Sequence, residues 1–272
     1  MTKHTRYALG FIGAGNMAEA IARGVLAAGV YKPDQIIAAD PSSQRLALFR
    51  DALGTAVTED SAKIAADTDV IMLAVKPQKI DEALAAISPA ISSQTLIISI
   101  VSAISTTFIA NSLHQRPRIV RVMPNTPILA GAGASALCRG STATEADAAV
   151  ARTIFASSGL AVEVPETLMD AVTSLSGCGP AYVFYLLEAM AAAGEKLGLA
   201  PAESALLARQ TIIGAGKLLA QSPDSATELR RKVTSPGGFT EAAIKRLETD
   251  GFFQLMLAAM QSAQARGREL AR

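Results

Sequence analysis

A strand, a turn and a helix can be read from Tyr7-Ala8-Leu9-Gly10-Phe11-Ile12-Gly13-Ala14-Gly15-Asn16-Met17-Ala18, near the start of the chain. The first six residues predict a buried strand, and the next six form the pattern G-x-G-x-x-A. An apolar stripe of helical spacing follows and ends at Gly29. This order is typical of a dinucleotide-binding unit, in which Gly13 permits the tight turn and Gly15 the approach of a pyrophosphate. A plain glycine turn of another α/β protein is the alternative interpretation.

Strand-like segments alternate with helix-like segments up to residue 164. Strands are predicted at 7–12, 35–39, 69–75, 96–101, 119–122 and 161–164. The alternation predicts a parallel, doubly wound α/β sheet of the Rossmann type, which forms a first domain over residues 1–164. Residues 165–272 show no convincing strand and predict an all-helical second domain. Its helices are expected at 181–197, 203–220, 241–248 and 252–270.

The end of the second predicted strand bears on the choice of cofactor. Asp40 follows that strand, 22 positions after Ala18, where a carboxylate holds the ribose hydroxyls of NAD. Ser42, Ser43 and Arg45 come directly after it and could instead receive the 2′-phosphate of NADP. The residues leave both cofactors open, and a solvated aspartate at a strand end is a third interpretation.

Two further strand ends carry polar residues that we expect at the ligand crevice of the sheet. Lys76 follows strand 69–75, and Asn125 lies in a rigid turn between Pro124 and Pro127. The Asn125 amide is a candidate hydrogen-bonding partner for a carboxamide, or else a simple turn residue.

Composition argues against several classes of function. The chain has 272 residues, a net charge of +1 and 50% apolar residues, so charge gives no case for binding nucleic acid or an anionic membrane. Apolar runs stay well short of the roughly 18 residues of a membrane span. Two cysteines without a CxxC pair, and two histidines, His4 and His114, predict neither a disulfide framework nor a metal site. A cytoplasmic location is the default expectation.

The segment 181–197 predicts association with a second chain. It is apolar almost all round, which is typical of a helix buried on every side. A domain of about 100 residues is too small to bury such a helix alone, so we predict a homodimer at least. Just before this segment, Cys178 is either a nucleophile or a small packed residue, and the second reading is favoured because no histidine or lysine adjoins it.

A second glycine loop reads Val233-Thr234-Ser235-Pro236-Gly237-Gly238-Phe239-Thr240. Gly237 and Gly238 let the backbone approach a ligand, and the helix start behind them offers unpaired N–H groups to an anion. Thr240 adds a hydroxyl that can donate or accept a hydrogen bond. The loop predicts a seat for a small, anionic and polar ligand; a mere connector between two helices is the alternative.

Five motifs in one order carry a family resemblance: Gly10-Phe11-Ile12-Gly13-Ala14-Gly15-Asn16-Met17-Ala18, Ala74-Val75-Lys76-Pro77-Gln78, Met123-Pro124-Asn125-Thr126-Pro127, Ser176-Gly177-Cys178-Gly179-Pro180-Ala181-Tyr182 and the loop from Val233 to Thr240. Together they span nearly the whole chain and closely resemble pyrroline-5-carboxylate reductase. The resemblance implies reduction of L-Δ1-pyrroline-5-carboxylate to L-proline, the last step of proline synthesis, usually with NADPH. It also implies a Rossmann domain and a helical domain that interlocks in a dimer, often assembled into decamers.

The resemblance also implies roles for residues of this chain. The pyrophosphate would be cradled by Gly13, Ala14, Gly15, Asn16 and Met17. The nicotinamide side would be lined by Ala74, Val75, Lys76, Pro77, Met123, Pro124 and Asn125. The substrate carboxylate would be held by Ser235, Gly237 and Gly238, with Thr240 bonding the ring nitrogen.

Three positions depart from the family pattern. Ser61 stands where the family commonly has an asparagine near the adenosine ribose, and Lys232 replaces an asparagine seen in some members. Asp40 is not a typical partner of a 2′-phosphate, so the resemblance leaves NADH possible beside NADPH.

Two other classes of function stay open from the residues. Another imine reductase or a β-hydroxyacid dehydrogenase would share the sheet and a helical domain, but the dehydrogenase needs a catalytic lysine in that domain. Lys196 and Lys217 lack the matching glycine-and-asparagine context. A dinucleotide-sensing binding protein would need only the first half and leaves the second glycine loop unexplained. A reductase needs no histidine, because a pyrroline nitrogen can carry its own proton. We hypothesise that Thr240 orients the ring nitrogen and that water or Thr240 itself passes the final proton.

Overall fold

The computed structural model describes residues 6–272, so His4 lies outside the described part of the chain. One sheet contains eight strands: β1 (Tyr7–Ile12), β2 (Ile36–Ala39), β3 (Ala56–Thr58), β4 (Thr68–Leu73), β5 (Leu96–Ser99), β6 (Arg118–Met123), β7 (Gly133–Arg139) and β8 (Gly159–Glu163). Their order across the sheet is β3-β2-β1-β4-β5-β6-β7-β8. Neighbouring strands are parallel, except that β7 runs antiparallel to β6.

The strand order confirms the predicted doubly wound sheet. From β1 the chain first builds β2 and β3 on one side and then returns to place β4 on the other side of β1. The winding therefore reverses between β1 and β4, and ligands of such sheets bind outside the carboxyl ends of the strands at that point. Ile12 ends β1 and Leu73 ends β4 side by side, which brings Gly13 next to Ala74.

The helices that the structure describes are α1 (Asn16–Ala27), α2 (Ser43–Ala47), α3 (Ser61–Asp67), α4 (Ile80–Ile87), α5 (Thr106–Ser112), α6 (Glu145–Ala156), α7 (Met169–Val172), α8 (Gly179–Lys196), α9 (Pro201–Gln221), α10 (Ala226–Lys232), α11 (Phe239–Thr249) and α12 (Phe252–Leu270). The four helices expected beyond residue 180 correspond to α8, α9, α11 and α12. Within residues 6–272 no strand follows β8, as the sequence predicts.

Two apolar clusters cover the sheet, and successive residues of a strand alternate between them. In β2, Ile36 and Ala38 join one cluster, and Ile37 and Ala39 join the other. The first cluster includes side chains of α1, and the second includes side chains of α4. Because both faces are covered by helices, the strands contain almost continuous apolar runs, which is the pattern of a buried parallel sheet.

Residues cluster into two compact units. One contains the described residues up to Cys178 together with Ala263–Arg272, and the other is Gly179–Ser262. The sheet ends with β8 at Glu163, which is where the sequence places the end of its first domain. Residues 165–178 nevertheless group with the sheet, and the boundary between domains 1–164 and 165–272 stays a prediction.

The helical unit Gly179–Ser262 buries almost nothing by itself. Of its residues only Ser204 and Ala208, both in α9, are buried. In α8, Phe184 is 58% exposed and Tyr185 is 74% exposed. Large apolar surfaces of this kind are unstable in water unless another surface covers them. The all-round apolar pattern of α8 therefore calls for a partner that one chain does not supply.

Candidate functional site

The glycine turn between β1 and α1 has the geometry that the fingerprint predicts. Gly13 has φ +94°, and a Cβ there would lie 2.7 Å from the carbonyl oxygen of Ala74, so only glycine fits. A Cβ on Gly15 would meet no other group within 4 Å, which leaves space for a ligand. No side chain in the described part of the chain caps α1 at Gly15. The first N–H groups of α1, at Asn16 and Met17, therefore remain for an anion, and the turn fits a dinucleotide pyrophosphate.

Asp40 supports this turn from the end of β2. Its Oδ2 accepts a hydrogen bond from the Ala14 N–H at 2.8 Å, and its Oδ1 accepts one from the Ser42 N–H at 2.8 Å. Each carboxylate oxygen keeps a second lone pair. Asp40 can therefore hold the turn and still accept a hydrogen bond from a ribose hydroxyl.

Arg45 also contacts the same turn. Its Nε donates to the Ala14 carbonyl oxygen at 2.6 Å, and its Nη2 donates to Glu19 Oε2 at 2.9 Å. Burial raises the pKa of Glu19, but hydrogen bonds and charge from Arg23 and Arg45 outweigh that effect and hold its pKa below the usual value. Arg45 thus belongs to a hydrogen-bonded ion pair with Glu19, a role that the sequence analysis did not predict.

Two cavities adjoin the carboxyl ends of the strands. The first has a volume of about 560 Å³ and includes Gly13, Gly15, Asp40 and Ser61 among its lining residues. The second has a volume of about 360 Å³ and includes Met17, Pro77 and Asn125. Ala74, Val75 and Lys76 line both. These volumes are typical of cofactor sites, and the cavities gather most of the cofactor residues expected from the sequence.

Asn125 has partners inside the protein. Its Nδ2 donates to the Ser176 carbonyl oxygen at 3.0 Å, and its Oδ1 accepts from the Ala134 N–H at 2.8 Å. One N–H and one lone pair of the amide are left, so its predicted role toward a carboxamide stays a prediction. Through these two hydrogen bonds, the Asn125 side chain also anchors its own turn.

Several lining residues were missed by the sequence analysis. The first cavity is also lined by Glu59, Asp60, Lys79 and Glu82, and the second by Ser102. Glu59 and Asp60 follow β3, and that strand is itself absent from the sequence prediction. Ser102 directly follows the predicted strand 96–101, but the sequence gave no reason to assign it a role.

The second glycine loop lies between α10 and α11, and all four predicted substrate residues fall within it or the first turn of α11. Gly237 has φ +69°, and Gly238 precedes α11 without any side-chain cap in the described residues. Thr240 is exposed, and no partner of its hydroxyl is found within residues 6–272. The Gly238 N–H donates to the Ser235 carbonyl oxygen at 3.0 Å, so an anion at this helix start would rely on the N–H groups that follow in α11. Its binding there stays a prediction.

One carboxylate already contacts this loop. Glu241 Oε2 accepts a hydrogen bond from the Gly237 N–H at 2.7 Å. A glutamate that reaches back from the first turn of a helix is a common capping arrangement. This contact places a negative charge beside the loop, a feature that the sequence analysis did not predict.

Both cysteines are free. Cys138 is buried in β7, and burial, the main cause, raises the pKa of its thiol to about 12. Cys178 is partly buried next to the π-helical turn Thr173–Gly177. No cluster of three or more metal-ligating side chains occurs among the described residues. None of the helices within residues 6–272 has the length and hydropathy of a membrane-spanning segment.

Comparison with protein families gives two matches. Residues 166–270 match the family described as pyrroline-5-carboxylate reductase dimerisation. Residues 8–103 match the family described as NADP oxidoreductase, coenzyme F420-dependent. The division agrees with a nucleotide-binding first half and a helical second half.

Individual proteins resemble the chain over nearly its full length. A pyrroline-5-carboxylate reductase of Pseudomonas aeruginosa is 41% identical over 264 residues, which cover 97% of this chain and 96% of the relative. The structure of the enzyme from Coxiella burnetii is 37% identical with a TM-score of 0.93, covering 98% and 100% of the two chains. That from Plasmodium falciparum, solved with NADP bound, is 30% identical with a TM-score of 0.84 and the same coverage.

Proposed function

The chain belongs to the pyrroline-5-carboxylate reductase family, and we infer from this that it reduces L-Δ1-pyrroline-5-carboxylate to L-proline with NAD(P)H. This reaction is the final step of proline biosynthesis. The observation that carries the inference is the similarity over 97% of the chain, which includes both the glycine turn and the Ser235–Thr240 loop. Oxidoreductases of this class act on a C=N bond.

The first unit contributes the dinucleotide site. When bound, NAD(P)H supplies the hydride that the imine carbon of the substrate accepts. We propose that Gly13, Ala14, Gly15, Asn16 and Met17 hold the pyrophosphate, because the open N–H groups of α1 and the space beside Gly15 favour an anion. The remaining proposed cofactor contacts are Asp40, Ser42, Ser61, Ala74, Val75, Lys76, Pro77 and Asn125.

The loop between α10 and α11 contributes the substrate site. We propose that Ser235, Gly237 and Gly238 bind the substrate carboxylate through the loop and the first N–H groups of α11. The Gly237 N–H donates to the Glu241 carboxylate, so the substrate carboxylate would compete with Glu241 at this position. Fixing the carboxylate restricts the ring to one orientation, and orientation contributes strongly to the rate of a hydride transfer.

Thr240 is the proposed catalytic residue. Its hydroxyl has no partner in the part of the chain that the structure describes, so it is available to the ring nitrogen of a bound substrate. The protonated imine accepts electrons readily, and a hydroxyl can hold the nitrogen in place without acting as a strong acid. No histidine is required.

We also propose an assembly and a location for the chain. The match of residues 166–270 to a dimerisation family supports an oligomer, and the exposed apolar residues of α8 supply the surface. We propose a homodimer at least, with a decamer as a further assembly, and a cytoplasmic location.

The test is the oxidation of NADPH and NADH in the presence of pyrroline-5-carboxylate, followed by the loss of reduced-nicotinamide absorbance. We expect oxidation that depends on pyrroline-5-carboxylate and yields proline. A chain that binds the dinucleotide without turnover would instead be a sensor, and one that oxidises hydroxyacids with NAD(P)⁺ would be a dehydrogenase. Either result would contradict the proposed function.

A further inference from the structure

We propose that Asp40 decides between the two cofactors, and that it makes this chain select NADH over NADPH. The proposal rests on the proposed function only in so far as a nicotinamide dinucleotide is the cofactor. It concerns this chain's own residues, since a relative from Plasmodium falciparum was solved with NADP bound. The two cofactors differ in one group, the 2′-phosphate on the adenosine ribose, so the residues after β2 decide the preference.

Arg45 is the residue that a 2′-phosphate would need, and it is already engaged. Two of its three guanidinium nitrogens donate hydrogen bonds, Nε to Ala14 at 2.6 Å and Nη2 to Glu19 at 2.9 Å. The side chains of Arg45 and Glu19 are only 24% and 17% exposed. Nη1 keeps its N–H donors, but the Glu19 carboxylate offsets the positive charge of Arg45, and the pair is largely shielded from water. The ion pair therefore weakens the attraction of Arg45 for a phosphate at the ribose end of the site.

Asp40 follows β2, where sheets of this type bind the adenosine ribose, so a 2′-phosphate would approach it there. Asp40 and Pro41 both line the first cavity. The two N–H groups of Ala14 and Ser42 fix it there at 2.8 Å each, so it cannot turn away without leaving them unpaired. The lone pairs that remain accept hydrogen bonds from ribose hydroxyls. A phosphate is mostly doubly ionised at neutral pH and would instead meet a like charge.

The rest of the lining does not offset this repulsion. Asp40, Glu59, Asp60 and Glu82 bring four carboxylates to the first cavity, against the two ammonium groups of Lys76 and Lys79. Lys79 is paired with Glu82 at 2.8 Å. A 2′-phosphate would add between about one and a half and two further negative charges. The hydroxyls of Ser42 and Ser61 can donate hydrogen bonds to a phosphate, but they carry no positive charge.

The experiment measures binding rather than turnover. Dissociation constants are determined for NADH and NADPH by fluorescence, and for 5′-AMP and 2′,5′-ADP by calorimetry, at low and high salt. For the unmodified protein we expect NADH and 5′-AMP to bind about tenfold or more tightly than their 2′-phosphorylated counterparts. We expect added salt to narrow that ratio, because salt screens the repulsion. Equal or tighter binding of the 2′-phosphorylated ligands would overturn the proposal, and so would a ratio that salt leaves unchanged.

Variants distinguish two effects of Asp40, namely its selection between the two cofactors and its hydrogen bond to the glycine turn. Asp40→Ser and Asp40→Asn both loosen the turn and weaken all four ligands, but only loss of the carboxylate charge changes the ratio. We expect both variants to move the ratio toward the 2′-phosphorylated ligands by about tenfold. Arg45→Ala is expected to weaken both members of each pair alike. If Arg45→Ala changes the ratio of dissociation constants and the two Asp40 variants leave it unchanged, the proposal is overturned.

A matched control removes a carboxylate of the same segment that does not line the cavity. Asp51→Asn meets this condition, because Asp51 is exposed and pairs with its neighbour Arg50. It should leave the ratio unchanged, and a shift as large as that of Asp40→Asn would overturn the assignment to Asp40. The 5′-AMP and 2′,5′-ADP measurements require no reduction of pyrroline-5-carboxylate. If the proposed reaction fails, the ratio of the two dissociation constants can therefore still be interpreted. If that ratio contradicts the role of Asp40, the proposed reaction is not affected.

Discussion

At the scale of single residues, Thr240 carries the chemical prediction. Thr240→Ala removes the hydroxyl that we propose to hold the ring nitrogen, while the loop that binds the carboxylate keeps its backbone. We expect kcat/KM for pyrroline-5-carboxylate to fall tenfold or more, which corresponds to about 1.4 kcal/mol of transition-state stabilisation. Most of the loss should appear in kcat, because orientation of the nitrogen matters most during the transfer. Steady-state kinetics measures both constants.

Two further substitutions control this prediction. Thr240→Ser keeps the hydroxyl and should retain most of the activity. Thr249→Ala acts in the last turn of the same helix, where its hydroxyl donates to the Lys245 carbonyl oxygen at 2.8 Å, and should leave the kinetics unchanged. If kcat and KM of Thr240→Ala both stay near those of the unmodified protein, the proposed role is wrong.

Residues whose role depends on local backbone could be predicted, and residues whose role depends on distant partners could not. Gly13 was predicted because a tight turn needs a positive φ, which the structure has at +94°. The bonds of Asp40 and Arg45 to Ala14 join positions 26 and 31 residues apart. Sequence spacing gives no information on which of two neighbouring polar side chains such a distant group will engage.

At the scale of elements, the β1–α1 turn can be tested by comparing two glycines with positive φ. Gly13 has φ +94°, and a Cβ there lies 2.7 Å from the Ala74 carbonyl oxygen; Gly29 has φ +68° and no group within 4 Å. Gly29→Ala should lower the free energy of unfolding by about 1–2 kcal/mol through backbone strain alone. Gly13→Ala should cost more, because β4 must also move, and should weaken dinucleotide binding. Urea unfolding and fluorescence titration measure both, and equal losses of stability would contradict the steric argument.

The start of α11 gives the second element-scale prediction. The Glu241 carboxylate bonds to the Gly237 N–H at 2.7 Å, in the loop where we propose that the substrate carboxylate binds. Glu241→Gln keeps an oxygen acceptor for that N–H but removes the negative charge that opposes the substrate. We expect KM for pyrroline-5-carboxylate to fall about threefold to tenfold, with kcat little changed.

The control for Glu241 is Glu269→Gln. Glu269 forms an exposed ion pair with Arg266 in the last turn of α12, so its loss changes the charge of the chain by the same amount. Its KM should equal that of the unmodified protein. A KM for Glu241→Gln that is unchanged or raised would show that Glu241 only caps the helix.

Elements with strong periodicity were predicted, and weak ones were missed. The strands at 7–12, 35–39 and 96–101 are rich in isoleucine, leucine and phenylalanine, so apolar runs reveal them. The missed β3 has only three residues, and the missed β7 reads GASALCR. Small residues have little intrinsic strand preference, and β7 forms because it pairs with β6 on one side and β8 on the other.

At the scale of the whole molecule, the uneven distribution of burial indicates where the chain associates. The sheet unit contains two extensive apolar clusters, whereas in Gly179–Ser262 only Ser204 and Ala208 are buried. A helical segment with so little core does not stay folded by itself, because hydrophobic burial must offset the loss of chain entropy. The sequence predicted this from the all-round apolar pattern of 181–197 but gave no information on the number of chains.

The assembly prediction follows from that distribution. The unmodified protein should elute in size-exclusion chromatography with light scattering at no less than twice the mass of one chain. Phe184→Glu, in α8, places a charge on a side chain that is 58% exposed in the single chain, and should dissociate the oligomer or prevent its folding. Leu129→Glu, at a site 64% exposed in the sheet unit, makes the same chemical change outside the helical unit and should leave the mass unaltered. Dissociation by Leu129→Glu with a stable oligomer for Phe184→Glu would place the interface on the sheet unit and contradict the role of α8.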